Sequence, residues 1–418
     1  MSPPLTATPQ PPVAPAAGAE AKPDLPQHYL AFKQRRYFTC LDGLRALSIL
    51  AVIWHHAAAP AFGSRVPLLH EGNRGVNLFF VISAFLISTL LLRAKARGTL
   101  NVPRFWARRA LRILPLYYGM LAVYALLVFA VEHDVAARQG FFAHIPYFAT
   151  FTSNWFVDLD SPRVIFYFAW SLAAEEQFYL CWPWIERALG KLWPAVVALG
   201  ALVVTQAAGL MYLHADRQGL ALRIVSSVPS AILLGVVLAH VLDRPWGFRW
   251  AMRIAGRRGS AIGAMAVVLA VLSVERRVGF FGELLVAIAL TLLVASCVVR
   301  EDNDLAAFLR WPSVAWIGTI SYGVYLMHVL CLRAVRGALA RVHLESPLIV
   351  FAATVVLSIG VASLSYLTYE RFFLRLKERW FGEKPTVRHA DILGTAAPTL
   401  GTLRPELGAQ GAQLRTPS

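Results

Sequence analysis

Ten predominantly apolar stretches follow one another along the 418-residue chain, near 41–60, 74–92, 115–132, 164–184, 193–213, 221–241, 260–275, 282–299, 313–333 and 347–367. A membrane-crossing helix needs roughly 17–25 such residues, and only the seventh stretch is marginal. In hydrocarbon each backbone N–H and C=O must be satisfied inside its own segment, so runs of this length predict α-helices. The expected fold is all-α, a polytopic membrane helix bundle of about ten transmembrane helices. Composition agrees: 57% of residues are hydrophobic and 15% charged, against about 45–50% and 25% in soluble domains. The segment Phe141–Phe156 is aromatic but short and dotted with polar groups, and reads as an interfacial or re-entrant loop.

A net charge of +16 would point a soluble protein toward nucleic acid. Here the charge alternates from loop to loop, which points to topology instead. Residues 93–112 hold seven basic residues: Arg93, Lys95, Arg97, Arg104, Arg108, Arg109 and Arg112. Residues 244–258 hold Arg244, Arg249, Arg253, Arg257 and Arg258, and the last stretch is followed by Arg371, Arg375, Lys377, Arg379 and Lys384. The loops between are poorer, with Arg65 and Arg74, then Arg138 and Arg163, then Arg217, then Arg276 and Arg277. The basic side is expected to be cytoplasmic, with both termini on it. A membrane domain over 37–383 is expected between disordered segments at 1–36 and 384–418, which are polar or rich in Pro and Ala. No signal-peptide core precedes the first stretch. Cys40, Cys181, Cys297 and Cys331 are scattered, with no disulfide framework and no metal-ligand spacing.

Ionisable residues inside such helices are costly and mark sites or pathways. The first stretch, LDGLRALSILAVIWHHAAAP, carries Arg45 near one end and His56 near the other, eleven residues apart. That is three helical turns with only ~20° left over, so both face one way, separated by roughly 16 Å along the axis. His55 points about 80° off that line, which makes His56 the better partner. In the second stretch Asn77 and Ser83 are polar positions, and small Ser83 and Ala84 suit close helix packing. Arg109 and Arg112 are an i, i+3 pair that serves topology or binds phosphates by bidentate contacts. Glu175 and Glu176 lie side by side within an apolar helix. One of them facing His56 would orient and charge-balance the imidazole; the other possibility is a structural pair with a buried arginine. Tyr325 and His328, at i, i+3, share a face. Residues 373–381 form a basic amphipathic piece suited to anionic headgroups.

Five motifs in this order are similar to those of the acyltransferase 3 family of bacterial integral-membrane acyltransferases. They are Arg45 and His56 separated by ten residues, the GVNLFFVISAFLI run at 75–87, the RxxR of Arg109 and Arg112 before Pro115, the WSLAAEEQFY block at 170–179, and ISYGVYLMH at 320–328. The resemblance covers roughly 37–380. Asn77 stands where the family often has Asp, Ala84 where it often has Gly, and Phe372 where Pro often follows the final Glu-Arg. The first departure removes a charge from position 77, and the second is expected to widen a helix contact.

The resemblance implies transfer of an acyl group, usually acetyl, from acyl-CoA to a hydroxyl of a sugar, glycolipid, other envelope component or secondary metabolite, at the bacterial inner membrane. On that reading His56 is the general base and Glu175 its orienting partner. Arg45, Arg109 and Arg112 hold the CoA phosphates, and Asn77, Ser83, Glu176, Tyr325 and His328 are further site candidates. No permanently bound cofactor and no metal are expected. A direct transfer and an acyl-histidine route both remain open. The rival from another class is a transporter using Arg45, His56 and Glu175 as a relay. A membrane glycosyltransferase would need a carboxylate-rich site, for which Asp158 and Asp160 are the only close pair in an outer loop.

Overall fold

The computed structural model describes residues 25–65, 67–158, 161, 164–190, 192–214 and 219–381, and these form helices, turns and coil without a strand. The N-terminal segment up to residue 24, the tail from 384 on, and Asp160 lie outside the described residues.

The first described element corrects an expectation. Leu25–Gln34 is a helix, α1, within the segment expected to be disordered. Phe32 is buried, the Tyr29 hydroxyl donates to the Asp243 carbonyl at 2.6 Å, and Lys33 pairs with the Asp243 carboxylate. The ten apolar stretches then appear as helices. These include α2 (Thr39–Ala57), α3 (Gly75–Ala96) and α4 (Val102–Val131), whose start is capped by the Asn101 side chain accepting from the Arg104 N–H at 2.9 Å. The expected loop at 141–156 is also helical: α5 (Val135–Ala149), capped by Asp134, and the short α6 (Ser153–Phe156). There follow α7 (Ala169–Ala188), α8 (Trp193–His214), α9 (Leu220–Ser226), α10 (Ser230–Leu242) and the basic, amphipathic α11 (Pro245–Ala255). The chain closes with α12 (Ser260–Val278), α13 (Gly282–Val299), α14 (Ala306–Leu309), α15 (Pro312–Thr319), α16 (Ser321–Ala340), α17 (Pro347–Ser365) and α18 (Arg371–Phe381).

Among the described residues, six helical stretches are long and apolar enough to cross a bilayer, or up to eight when the bent pairs α1–α2 (64°) and α9–α10 (45°) are each taken as one span. That is fewer than the ten expected, and the sequence shows why. Helix α7 carries Glu175, Glu176, Gln177 and Glu186, which lower its mean hydropathy. Helices α12 and α13 run as one 40-residue stretch, yet pack against each other across a turn where Gly279 takes φ 71°, a conformation that favours glycine.

The most enclosed span is Leu68–Ala96, 72% buried, whereas Trp193–His214 is 17% buried and turns apolar side chains outward. The core is therefore built around α2 and α3. Helix α10 lies along α3 at Gly235, where a Cβ would come within 2.6 Å of the Val81 carbonyl oxygen and 2.9 Å of the Ala84 Cβ. The contact at Ala84 is consequently close rather than widened: the partner helix supplies the glycine that position 84 lacks.

Candidate active site

Helix α2 is the spine of the site. It runs unbroken from Thr39 to Ala57 and so keeps Arg45 and His56 on one face at its two ends. Its middle is tied to α3, where the Ser48 hydroxyl donates to the Gly75 carbonyl.

At the far end, His56 Nδ1 lies 2.8 Å from the Val52 carbonyl oxygen. A carbonyl only accepts, so Nδ1 carries the proton and the neutral ring presents its Nε2 lone pair. His328 repeats the arrangement: its Nδ1 donates to the Tyr325 carbonyl at 2.5 Å. The His328 ring is fully buried, and its Nε2 has no hydrogen-bond partner among the described residues. The two rings are 5.1 Å apart, and Tyr167 lies 5.7 Å from His56. His55 turns away and donates from Nδ1 to the His70 carbonyl at 2.9 Å, as the helical angle requires. Arg336 of α16 donates to the His56 carbonyl at 3.0 Å, closing the end of α2.

One turn along α16 from His328, two of the sequence motifs meet. The Ser171 and Tyr325 hydroxyl oxygens are 2.6 Å apart, and each lies 3.1 Å from the Phe168 carbonyl oxygen. Both residues are buried.

At the near end, Arg45 reaches Asp42 at 3.5 Å. Asp42 also feels Arg112, and Arg112 feels Arg109 and Arg45. The guanidinium of Arg109 lies over the Tyr179 ring, 4.8 Å from its centre. Tyr179 is held by Trp106, whose indole N–H donates to its carbonyl at 3.0 Å. The turn of α4 that carries both arginines precedes Pro115, which cannot donate to the carbonyl four residues back. Hydroxyls of Tyr322 and Tyr369 donate to the Ile113 and Pro115 carbonyls, each at 3.0 Å, and fix this turn to the last helices. Lys377 of α18 adds a further positive charge near Arg112.

Two sequence expectations are corrected. Glu175 does not orient His56; it accepts the Tyr179 hydroxyl at 2.5 Å, and the charged groups acting on His56 are His55 and Arg336. Glu175 points down its helix because Tyr179, four residues on, shares its face. Glu176 likewise belongs with Glu175 and Arg109. Asn77, the other exception, is buried, and its Nδ2 has no partner among the described residues. It shares a helix face with Val81 and Ala84, the face that Gly235 covers, and not the one that Ser83 and Phe79 occupy. Phe79 meets Tyr325, and Ser83 interacts with Tyr179.

Three residues at this end escaped the sequence reading: Tyr167 and Arg336, which touch His56, and Arg333, which acts on Tyr167. A signal existed for the arginines, since both flank the ninth stretch on the side expected to be poor in basic residues.

A family model described as an acyltransferase domain matches residues 38–367. The peptidoglycan O-acetyltransferase OatA of Listeria monocytogenes is 27% identical over 321 residues, covering 70% of this chain and 49% of that protein. The "Putative peptidoglycan O-acetyltransferase YrhL" of Bacillus subtilis is 28% identical over 329 residues, covering 72% and 49%. The chain thus spans about half the length of these curated relatives. No solved structure matches it.

Proposed function

Because the chain belongs to the acyltransferase 3 family, whose domain covers residues 38–367, we propose that it is a multi-pass membrane O-acyltransferase. It moves an acyl group, acetyl first among candidates, from acyl-CoA to a hydroxyl of an envelope carbohydrate. The relatives' names put carbohydrate ahead of other acceptors. The protein crosses the bacterial inner membrane ten times, with both termini and the Arg45 end in the cytoplasm; the alternation of basic loops supports this.

One observation carries the reading. His56 bonds the Val52 carbonyl through Nδ1, which leaves Nε2 as the acceptor, and it lies roughly 16 Å along the axis from Arg45 on the same face of α2, the end where Arg112 and Arg109 of α4 gather. That spacing suits a long donor with phosphates at one end and a thioester at the other. Arg45, Arg109 and Arg112 bind the phosphates. At the other end His56 Nε2 takes the hydroxyl proton as the acceptor oxygen attacks the thioester carbonyl. The new C–O bond forms, the C–S bond breaks, and the proton leaves with the thiol. Glu175, through Tyr179, steadies Arg109 rather than the base.

The test compares envelope glycans and lipids by mass spectrometry in cells carrying wild-type protein or His56→Ala at equal membrane abundance. An acetyl-sized mass lost from one class of molecule is expected. Identical spectra overturn the proposal. Labelled acetyl-CoA binding to the purified protein tests the donor separately, and a protein that transfers acetyl groups without binding it removes acyl-CoA from the scheme.

A further inference from the structure

The His56 end carries charge that the reaction above does not use. Arg336 sits eleven residues beyond Tyr325 on α16, hence on the same face, and its guanidinium touches the last turn of α2 at the His56 and Ala57 carbonyls, 3.0 and 3.5 Å away. Arg333, one turn earlier, acts together with Arg336 on Tyr167, the ring packed against His56. Both arginines are exposed. Among the described residues no carboxylate lies within ion-pair reach of either. Other arginines at this end are different: Arg74 and Arg276 are engaged by Glu71, Glu275 and Glu283.

Basic residues on this side run against the charge rule that orients the chain, so topology does not account for them. Snorkelling to lipid headgroups accounts for an arginine on the outer face of a helix, not for one bonded to the backbone of the catalytic histidine. Two guanidiniums and a phenol around the mouth of a hydroxyl-activating site make a receptor for an anion. We infer that the acceptor bears an anionic group, a carboxylate or a phosphate, which Arg333, Arg336 and the Tyr167 hydroxyl hold while its hydroxyl faces His56. The inference rests on the acyl-transfer reading and names the substrate class of that site.

The test uses the full chain in its own membranes, as wild type, H56A, R333Q, R333K and the R333Q/R336Q pair at equal abundance. The species that loses acetyl mass in H56A is isolated, and its fragment spectrum tells carboxylate from phosphate. The expected acceptor is anionic. R333Q should carry about tenfold less of the acetylated form, the loss of one charge-assisted contact, and R333K should recover most of it. Arg333 makes no hydrogen bond among the described residues, so R333Q leaves the bundle intact. R336Q also loosens the end of α2, so the pair is read alongside thermal unfolding. With purified protein and that acceptor, R333Q should raise the acceptor KM and leave the donor KM alone, a split that a structural role would not produce. A neutral acceptor, or an anionic one acetylated at the wild-type level in the R333Q/R336Q pair, overturns the inference. No acetyl difference between wild type and H56A overturns acyl transfer itself, a distinguishable failure.

Discussion

Two groups of arginines sit at opposite ends of α2 and are built differently. Near His55, Arg74 pairs with Glu275, approaches Glu283 at 3.4 Å and Glu71 at 4.0 Å, while Arg276 binds Glu71 at 2.6 Å. Glu71 and Glu275 are almost wholly buried, and each is matched by a cation. At the other end Arg45 pairs with Asp42 at 3.5 Å. Arg109 and Arg112 there face each other and Lys377 without a carboxylate in contact among the described residues. The first group locks the turn before α3 (Pro67–Arg74) onto α12. The second group gathers cations that Asp42, Glu176 and Glu370 influence without closing an ion pair to Arg109 or Arg112 among the described residues, which leaves their donors open to an arriving anion. Charge closed within the chain serves architecture; charge left open serves a ligand.

Four experiments break or sharpen this contrast. The largest effect is expected from His56→Ala, with acetyl transfer reduced by at least about a hundredfold, the usual contribution of a general base. Turnover retained in that variant would mean that the open cations serve some other chemistry. Next, Glu275→Gln removes the tightest of the three carboxylates around Arg74 and should lower stability by about 1–2 kcal/mol, the loss of one charge-assisted contact, seen as earlier thermal unfolding in detergent with transfer per folded molecule unchanged. An unaltered melting curve would remove the architectural role. Arg112→Gln should act in the opposite sense, raising the acyl-CoA KM about tenfold while melting temperature stays level or rises as repulsion is relieved. A fall in stability with unchanged KM would place Arg112 with the architectural group. The smallest effect belongs to His55→Ala, whose ring faces the His70 carbonyl; transfer should fall by less than about threefold. An equal loss in the two histidine variants would contradict their opposed orientations.

What the sequence revealed was whatever a single helix determines. The divergence of His55 from His56, the shared face of Arg45 and His56, and that of Tyr325 and His328 all follow from the rise and turn of one helix, and the structure shows each of them. The apolar stretches likewise coincide with helices. Contacts between helices were beyond that arithmetic. Glu175 has the right chemistry for His56 but stands at the level of Tyr179, a fact fixed by how far α7 is shifted along α2. The meeting of Ser171 with Tyr325, and of His56 with His328, depends on the same shifts. Helix α5 was missed because Pro146 and scattered polar residues in 141–156 resemble a loop, although Asp134 supplies a cap to start it. At α1, apolar Tyr29 and Phe32 signalled order that the Pro-rich residues before them obscured.

The hydrogen bond between Ser171 and Tyr325 joins residues 154 positions apart in the chain. A ribosome adding about 5–20 residues per second leaves roughly 8–30 s between the synthesis of the two. Helices α2, α3 and α7 are therefore made long before the helix that carries Tyr325 and His328, and a chain halted before that point has inserted most of its helices with the site still open on one side. Tyr325 and His328 join Ser171 and His56 only once α16 has been made, so a copy halted before it holds α2, α3 and α7 without these two partners.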